Sequence, residues 1–272
     1  MGHLISPEAL AAHSAAVVFD CRFSLFDSGA GRREYEAGHV PGARFADLER
    51  DLSSPPGPGG AGGRHPLPDR DELAARMRAW GVHDDSLVVC YDQNSGAFAG
   101  RLWWLTRWLG HANVCLLDGG LDAWIGAGLD TETTQVTPQT GTFSIRPSLT
   151  KTCSADDIAQ GTMTLLDARD AARYRGESEP IDAIAGHIPG AVCAPFIENL
   201  DAGRFRSPDA LAARFRDLGV DPEEDVACYC GSGVTATHNI LALLLAGYSE
   251  PVLYPGSWSD WITNADRPIE TG

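Results

Sequence analysis

The chain has 272 residues, enough for about two domains. Apolar residues make up 43% and charged residues 21%, which excludes a mainly disordered chain, and no run of ~18 apolar residues is present to cross a membrane. Acidic residues (37) exceed basic ones (21), and the net charge of −16 argues against nucleic acid as a partner.

No basic start followed by an apolar stretch opens the chain, so no secretory signal is expected. The seven cysteines (Cys21, Cys90, Cys115, Cys153, Cys193, Cys228 and Cys230) make no C-x-x-C pair and no zinc-like spacing. The expectation is a reduced, cytoplasmic protein with free thiols, no metal, no cofactor and no membrane partner.

In chain order, Ser6-Pro7-Glu8 is a helix start, with serine as cap and proline in the first turn. Ala16 to Asp20 is a short apolar run that reads as a buried strand. Asp71 to Ala79 has helical spacing and Gly81 stops it; Leu87 to Tyr91 is the next strand and Arg101 to Leu109 the next helix. Thr131 to Thr150, polar and broken by Pro138, Gly141 and Pro147, reads as a linker. Beyond it Ser154 and Asp157 start a helix, Met163 to Asp167 is a strand, Asp209 to Asp217 a helix stopped by Gly219, Asp225 to Tyr229 a strand and Thr237 to Ala246 a helix. Alternating strands and helices predict an α/β fold, each half a mainly parallel sheet flanked by helices on both faces. The expected boundaries are 1–130, a linker at 131–150, and 151–272.

The second series repeats the first. Asp20-Cys21-Arg22 returns as Asp167-Ala168-Arg169, and Gly38-His39-Val40-Pro41-Gly42-Ala43 as Gly186-His187-Ile188-Pro189-Gly190-Ala191. Leu73 to Arg76 returns as Leu211 to Arg214, Val88 to Asp92 (VVCYD) as Val226 to Cys230 (VACYC), and Gly119 with Trp124 as Gly256 with Trp261. The offset falls by about ten residues between Ala43 and Leu73, so the first half carries an insertion there, the Pro/Gly-rich Ser53 to Gly63.

In parallel α/β sheets ligands bind beyond the carboxyl ends of strands. After VVCY stands Asp92-Gln93-Asn94-Ser95-Gly96; after VACY stands Cys230-Gly231-Ser232-Gly233-Val234-Thr235-Ala236. Glycines let consecutive N–H groups converge on an anion, and the following helix adds its positive end. A cysteine there favours the thiolate, and the repeat shows that the turn itself does not require one. A phosphatase or arsenate-reductase loop, C-x5-R, is disfavoured because position 236 is alanine.

These residues resemble the rhodanese family of sulfurtransferases in its tandem two-domain form. The resemblance spans nearly the whole chain and rests on the Cys230–Ala236 loop, the two Gly-His-Val/Ile-Pro-Gly-Ala motifs, Asp167-Ala168-Arg169 and the closing Gly256-Ser257-Trp258-Ser259-Asp260-Trp261. It implies that the second domain is catalytic, through a Cys230 persulfide, and that Asp92 stands where the first domain lost its cysteine. It implies a small anionic sulfur donor and a thiol acceptor, such as a thioredoxin-like protein, a low-molecular-weight thiol or, in assay, cyanide. The loop is similar to the 3-mercaptopyruvate type, with Gly231 and Ser232 where thiosulfate enzymes carry Arg and Lys; thiosulfate turnover and a non-turnover persulfide carrier are the alternatives. By the same resemblance Cys230, Ser232, His65 and Glu49 are the catalytic set, with Asp51 close to Glu49. Arg173 binds the donor carboxylate, and Gly231, Gly233, Val234 and Thr235 complete the substrate-binding loop. The chain departs from the pattern at Ile181, where a second arginine is usual, with Arg175 a nearby substitute. Arg169 is read as structural.

Overall fold

The structure, a computed structural model, describes residues 2–272. The chain forms two compact units: Met1–Ser54 with Pro68–Leu149, and Pro55–Leu67 with Thr150–Gly272.

The first unit contains β1 (Leu4–Ile5), α1 (Pro7–Ala11), β2 (Val17–Asp20), α2 (Ala30–Ala37), β3 (Arg44–Phe45), α3 (Arg70–Ala79), β4 (Val88–Tyr91), α4 (Ala99–Trp108), β5 (Val114–Leu117) and α5 (Gly120–Gly126). Its five strands run in the order β1-β5-β4-β2-β3, all parallel. The second unit follows with β6 (Lys151–Thr152), α6 (Ala155–Ala159), β7 (Thr164–Asp167), α7 (Ala171–Tyr174), β8 (Val192–Cys193), a small antiparallel hairpin of β9 (Leu200–Asp201) and β10 (Arg204–Phe205), α8 (Pro208–Asp217), β11 (Val226–Tyr229), α9 (Ala236–Leu245), β12 (Val252–Leu253) and α10 (Ser257–Trp261). Its main sheet, β6-β12-β11-β7-β8, repeats the first, so each unit is the expected parallel α/β layer structure.

Local chemistry accounts for the elements. Ser6 caps α1 by accepting the Ala9 N–H at 3.2 Å, and Ser154 with Asp157 forms a reciprocal capping box on α6. All four residues of β2, β4 and β11 are buried, as strands covered on both faces must be. α4 and α9, which leave the loops after β4 and β11, are buried almost all round and give those loops rigid bases.

The repeated motifs are structural in both units. Arg22 returns to Asp20 through Nε and Nη2, the latter at 2.6 Å, and donates to Gly38 O; Arg169 does the same with Asp167 and Gly186 O. His39 stacks on Tyr35 at 3.9 Å and His187 on Tyr174 at 3.7 Å, each with Nδ1 at the same tyrosine's carbonyl. These buried, fully engaged groups tie the chain beyond β2 and β7 to the sheet.

The expected boundaries differ from the units in two places. Residues 131–149 are bound along the first unit, by the paired backbones of His39 and Glu132 and by N–H bonds from Gly141 to Arg78 O and from Arg146 to Leu109 O. Phe143 is buried there. The segment Pro55–Leu67, which takes in most of the Ser53 to Gly63 insertion and the residues just after it, belongs to the second unit although it lies within the first half of the sequence.

Candidate active site

The strand order reverses between β7 and β11: the chain runs outward from β7 to β8 and in the opposite direction from β11 to β12. Loops leaving neighbouring strands at such a point diverge and open a crevice. The loop after β11 begins with Cys230; the one after β7 leads into α7, which carries Arg173.

Cys230 is 2% exposed, and Gly231, Ser232, Gly233 and Val234 are buried, with Thr235 half-buried as the cap of α9. Gly233 has φ +73°, and a Cβ there would stand 2.3 Å from Pro255 O, so only glycine fits. The segment 254–259 holds the loop from behind. The Cys230 N–H donates to Ser257 Oγ at 3.1 Å, and the N–H groups of Trp258 and Ser259 donate to the carbonyls of Cys230 and Gly231.

The equivalent loop of the first unit displays what this backbone binds. The Asp92 carboxylate accepts N–H bonds from Ser95 and Gly96 on Oδ1 and from Phe98 and Ala99 on Oδ2, at 2.8–3.2 Å. Burial pushes this carboxyl above the usual range against the pull of those bonds. Its loop spans 92–98 and that of the second unit 230–235, one residue shorter, with sulfur in place of the carboxylate.

The insertion docks on the second unit through its glycines. Gly62 N–H donates to Asp260 Oδ1 at 2.8 Å; Gly63, at φ +78°, leaves no room for a Cβ, which would lie 2.4 Å from Gly256 O. Arg64 N–H donates to Ser259 Oγ, and His65, buried, places Nδ1 2.7 Å from Ser232 Oγ. His65 and Ser232, 167 residues apart in the chain, are thus brought together. Glu49 stands in the first unit with its side chain exposed and its N–H on Asp47 Oδ1. Asp51, in the same turn, accepts the Asp47 N–H and faces Arg76 at 3.6 Å.

Arg173 gives Nε and Nη2 to Glu179 and Nη2 to Asp182, the latter at 3.0 Å. Its Nη1 and Nη2 lie 3.6 and 3.5 Å from the place of a Gly231 Cβ, so it faces the loop. Hydrogen bonds from Arg173 and two backbone N–H groups outweigh the effect of burial and hold Glu179 below the usual carboxylate range, whereas burial pushes Asp182 up. Arg175 pairs instead with exposed Glu177, and Ile181 contributes its N–H to Glu179. Arg169 is committed to Asp167, with its guanidinium 4.8 Å from the Trp258 ring. Sequence reasoning missed Ser257, Asp182 and Arg64. Asp182 pairs with Arg64 as well as with Arg173, which no local spacing reveals; Ser257 aligns with Gly120 in the repeat and was within reach.

Among the described residues no cluster of three metal-ligating side chains and no helix long and apolar enough to cross a membrane is present.

The family profile of the rhodanese-like domain matches residues 6–127 and 151–264. The chain is 50% identical to a probable 3-mercaptopyruvate sulfurtransferase of Pseudomonas aeruginosa over 99% of its own length and 98% of that protein. It is 42% identical to a putative thiosulfate sulfurtransferase, SseB, of Mycobacterium tuberculosis, covering 94% and 90%. The crystal structure of SseA, a 3-mercaptopyruvate sulfurtransferase from Escherichia coli, superposes with a TM-score of 0.82 and 32% identity over 95% of this chain and all of that one. With two matched domains and relatives of this closeness, the chain belongs to the rhodanese family in its tandem form and is an enzyme of the sulfurtransferase type.

Proposed function

We propose that the chain transfers sulfur from 3-mercaptopyruvate to a thiol acceptor through a persulfide on Cys230. The observation that carries this is a thiol at a strand end, in a loop whose counterpart wraps a carboxylate in four N–H groups. The Cys230 thiolate attacks the donor sulfur and the carbon–sulfur bond breaks. The electron pair goes to the donor carbon as an enolate, which takes a proton and leaves as pyruvate. The persulfide anion is held by loop N–H groups. An acceptor thiolate then attacks the outer sulfur, the sulfur–sulfur bond breaks and Cys230 thiolate returns. Ser232, hydrogen-bonded to His65, serves the developing oxyanion and the proton, and Arg173 takes the carboxylate.

The loop supplies no side-chain cation of its own, which favours a monoanion over the strongly hydrated thiosulfate dianion. The kcat/KM for mercaptopyruvate is expected to exceed that for thiosulfate at least about tenfold, which requires ~1.4 kcal/mol of differential transition-state binding. Equal or better thiosulfate turnover at matched pH and acceptor overturns this reading of the donor. Cys230→Ser should abolish transfer with the fold intact; transfer that survives overturns the persulfide assignment. The acceptor is read as a cytoplasmic thiol, a thioredoxin-like protein or a small molecule. This reading is supported by seven cysteines that are all unbridged.

A further inference from the structure

We propose that a cavity behind the Cys230 loop is an effector site for a free α-amino acid with an apolar side chain. The cavity lies within the second unit and has a volume of about 380 Å³, in the range of small-molecule sites. It is distinct from the crevice of the nucleophile, since none of Cys230, Ser232, His65 and Arg173 lines it.

Its walls are the backs of the two segments that make the site. Tyr254, Pro255 and Gly256 form one wall. The Pro255 carbonyl is the group that excludes a side chain at Gly233, and Tyr254 O accepts the Ser257 hydroxyl that receives the Cys230 N–H. Gly62, Pro66 and Leu67 form the other wall, on either side of Arg64 and His65. Asp260 joins the two: Oδ1 accepts the Gly62 N–H at 2.8 Å and Oδ2 the Tyr254 hydroxyl at 2.5 Å. A molecule in the cavity touches both segments at once, and a change in how they are held reaches Cys230 and His65 through these bonds.

The lining defines the ligand. Pro66, Leu67, Tyr254 and Pro255 offer apolar surface, and two charges have donors or acceptors to spare. Arg267 uses only Nη1, on Asp260 O at 2.9 Å and Trp261 O at 3.4 Å; its Nε and Nη2 donate to nothing among the described residues. Asp156, exposed, has no hydrogen bond or ion pair among them. Six residues after the repeated tryptophan the first unit has Asp130 where the second has Arg267, so the fold itself does not demand this cation. A guanidinium takes a carboxylate through its forked donors, and an unpaired carboxylate takes an ammonium. The cavity thus matches a zwitterion with an apolar side chain. A simple acid would face Asp156 unpaired in a chain of net charge −16, and a simple amine would leave Arg267 unused.

The test is calorimetry on the full chain with L-leucine, with isocaproate, which lacks the amino group, and with isoamylamine, which lacks the carboxylate. Leucine is expected to bind, and each analogue at least about tenfold more weakly, as for loss of one charge-assisted hydrogen bond. Arg267→Gln and Asp156→Asn should each weaken leucine by a similar factor; Asp156 is exposed, so its variant keeps the fold even if Arg267→Gln does not. The second readout is the rate at which iodoacetamide alkylates Cys230 at neutral pH. Saturating leucine should change it about fivefold or more in the wild type, a typical coupling between sites. Neither readout uses a sulfur donor, so both are independent of the donor reading above. Absence of leucine binding, equal binding of either analogue, or leucine affinity unchanged in Asp156→Asn overturns the site. Leucine binding that leaves the Cys230 rate unchanged overturns its effector role.

Discussion

Ser257 adopts φ +54°, a left-handed conformation that costs a non-glycine residue roughly 1–2 kcal/mol. The corresponding residue of the first unit is Gly120, at φ +59°, where a side chain would meet Asp92 O. The second unit accepts the strain because the hydroxyl receives the Cys230 N–H and donates to Tyr254 O. Ser257→Ala should therefore destabilise the protein by about 1–3 kcal/mol, since it keeps the strain and leaves a buried N–H without an acceptor. Ser257→Gly should cost less by about the strain relieved. Urea unfolding reads the difference, and equal losses would show that the backbone at 257 is unstrained. Gly233→Ala belongs to the same scale. Both its positive φ and the Pro255 carbonyl oppose a methyl group, so a lower Tm and lost activity are expected together.

Two elements make the site. β11, its loop and α9 form one continuous strand–loop–helix unit that sets Cys230 at a helix N-terminus. The segment 55–67 is mostly glycine and proline and is held by glycine close contacts and backbone bonds, which explains its glycines. Gly63→Ala should push it off Gly256 and carry Arg64 and His65 with it. The cost is at least about 1–2 kcal/mol locally, and the global unfolding midpoint should move less than donor KM rises. A variant with wild-type KM would show that this docking does not set the site.

At the scale of the molecule, the duplicated loops differ in what begins them, Asp92 in one unit and Cys230 in the other. In the first unit the nest is closed by Asp92 itself, and burial pushes the thiols of Cys21 and Cys90 far up and that of Cys115 to about 12. In the second, burial raises Cys153 to about 12 and Cys193 to about 11. A raised thiol stays protonated and unreactive below its pKa, so at pH ~8 these five remain thiols. Mass spectrometry after excess donor should find one added sulfur per chain, on the peptide containing Cys230. Among these five, raising the pH should bring the half-buried Cys193 and Cys153 into alkylation before the three buried thiols. Sulfur on Cys21, Cys90 or Cys115 would contradict this.

Local and repeated features are legible in the residues alone. Caps at Ser6 and Ser154, the buried strands ending at Asp20, Tyr91, Asp167 and Tyr229, and the helices stopped by Gly81 and Gly219 are short-range matters of spacing and backbone freedom, and all stand within a residue or two of expectation. The repeat exposed the duplication, and the glycines around Cys230 marked the loop. Tertiary structure decided what depends on contacts distant in sequence. It made 131–149, read as a linker, part of the first unit and put 55–67, which lies in the first half of the sequence, in the second, because backbone hydrogen bonds and glycine contacts hold them. It brought His65 to Ser232 across 167 residues, and Arg64 to Arg173 through a shared Asp182. A side chain's partner across such a span is set by how strands and loops pack, and no periodicity in the chain encodes it.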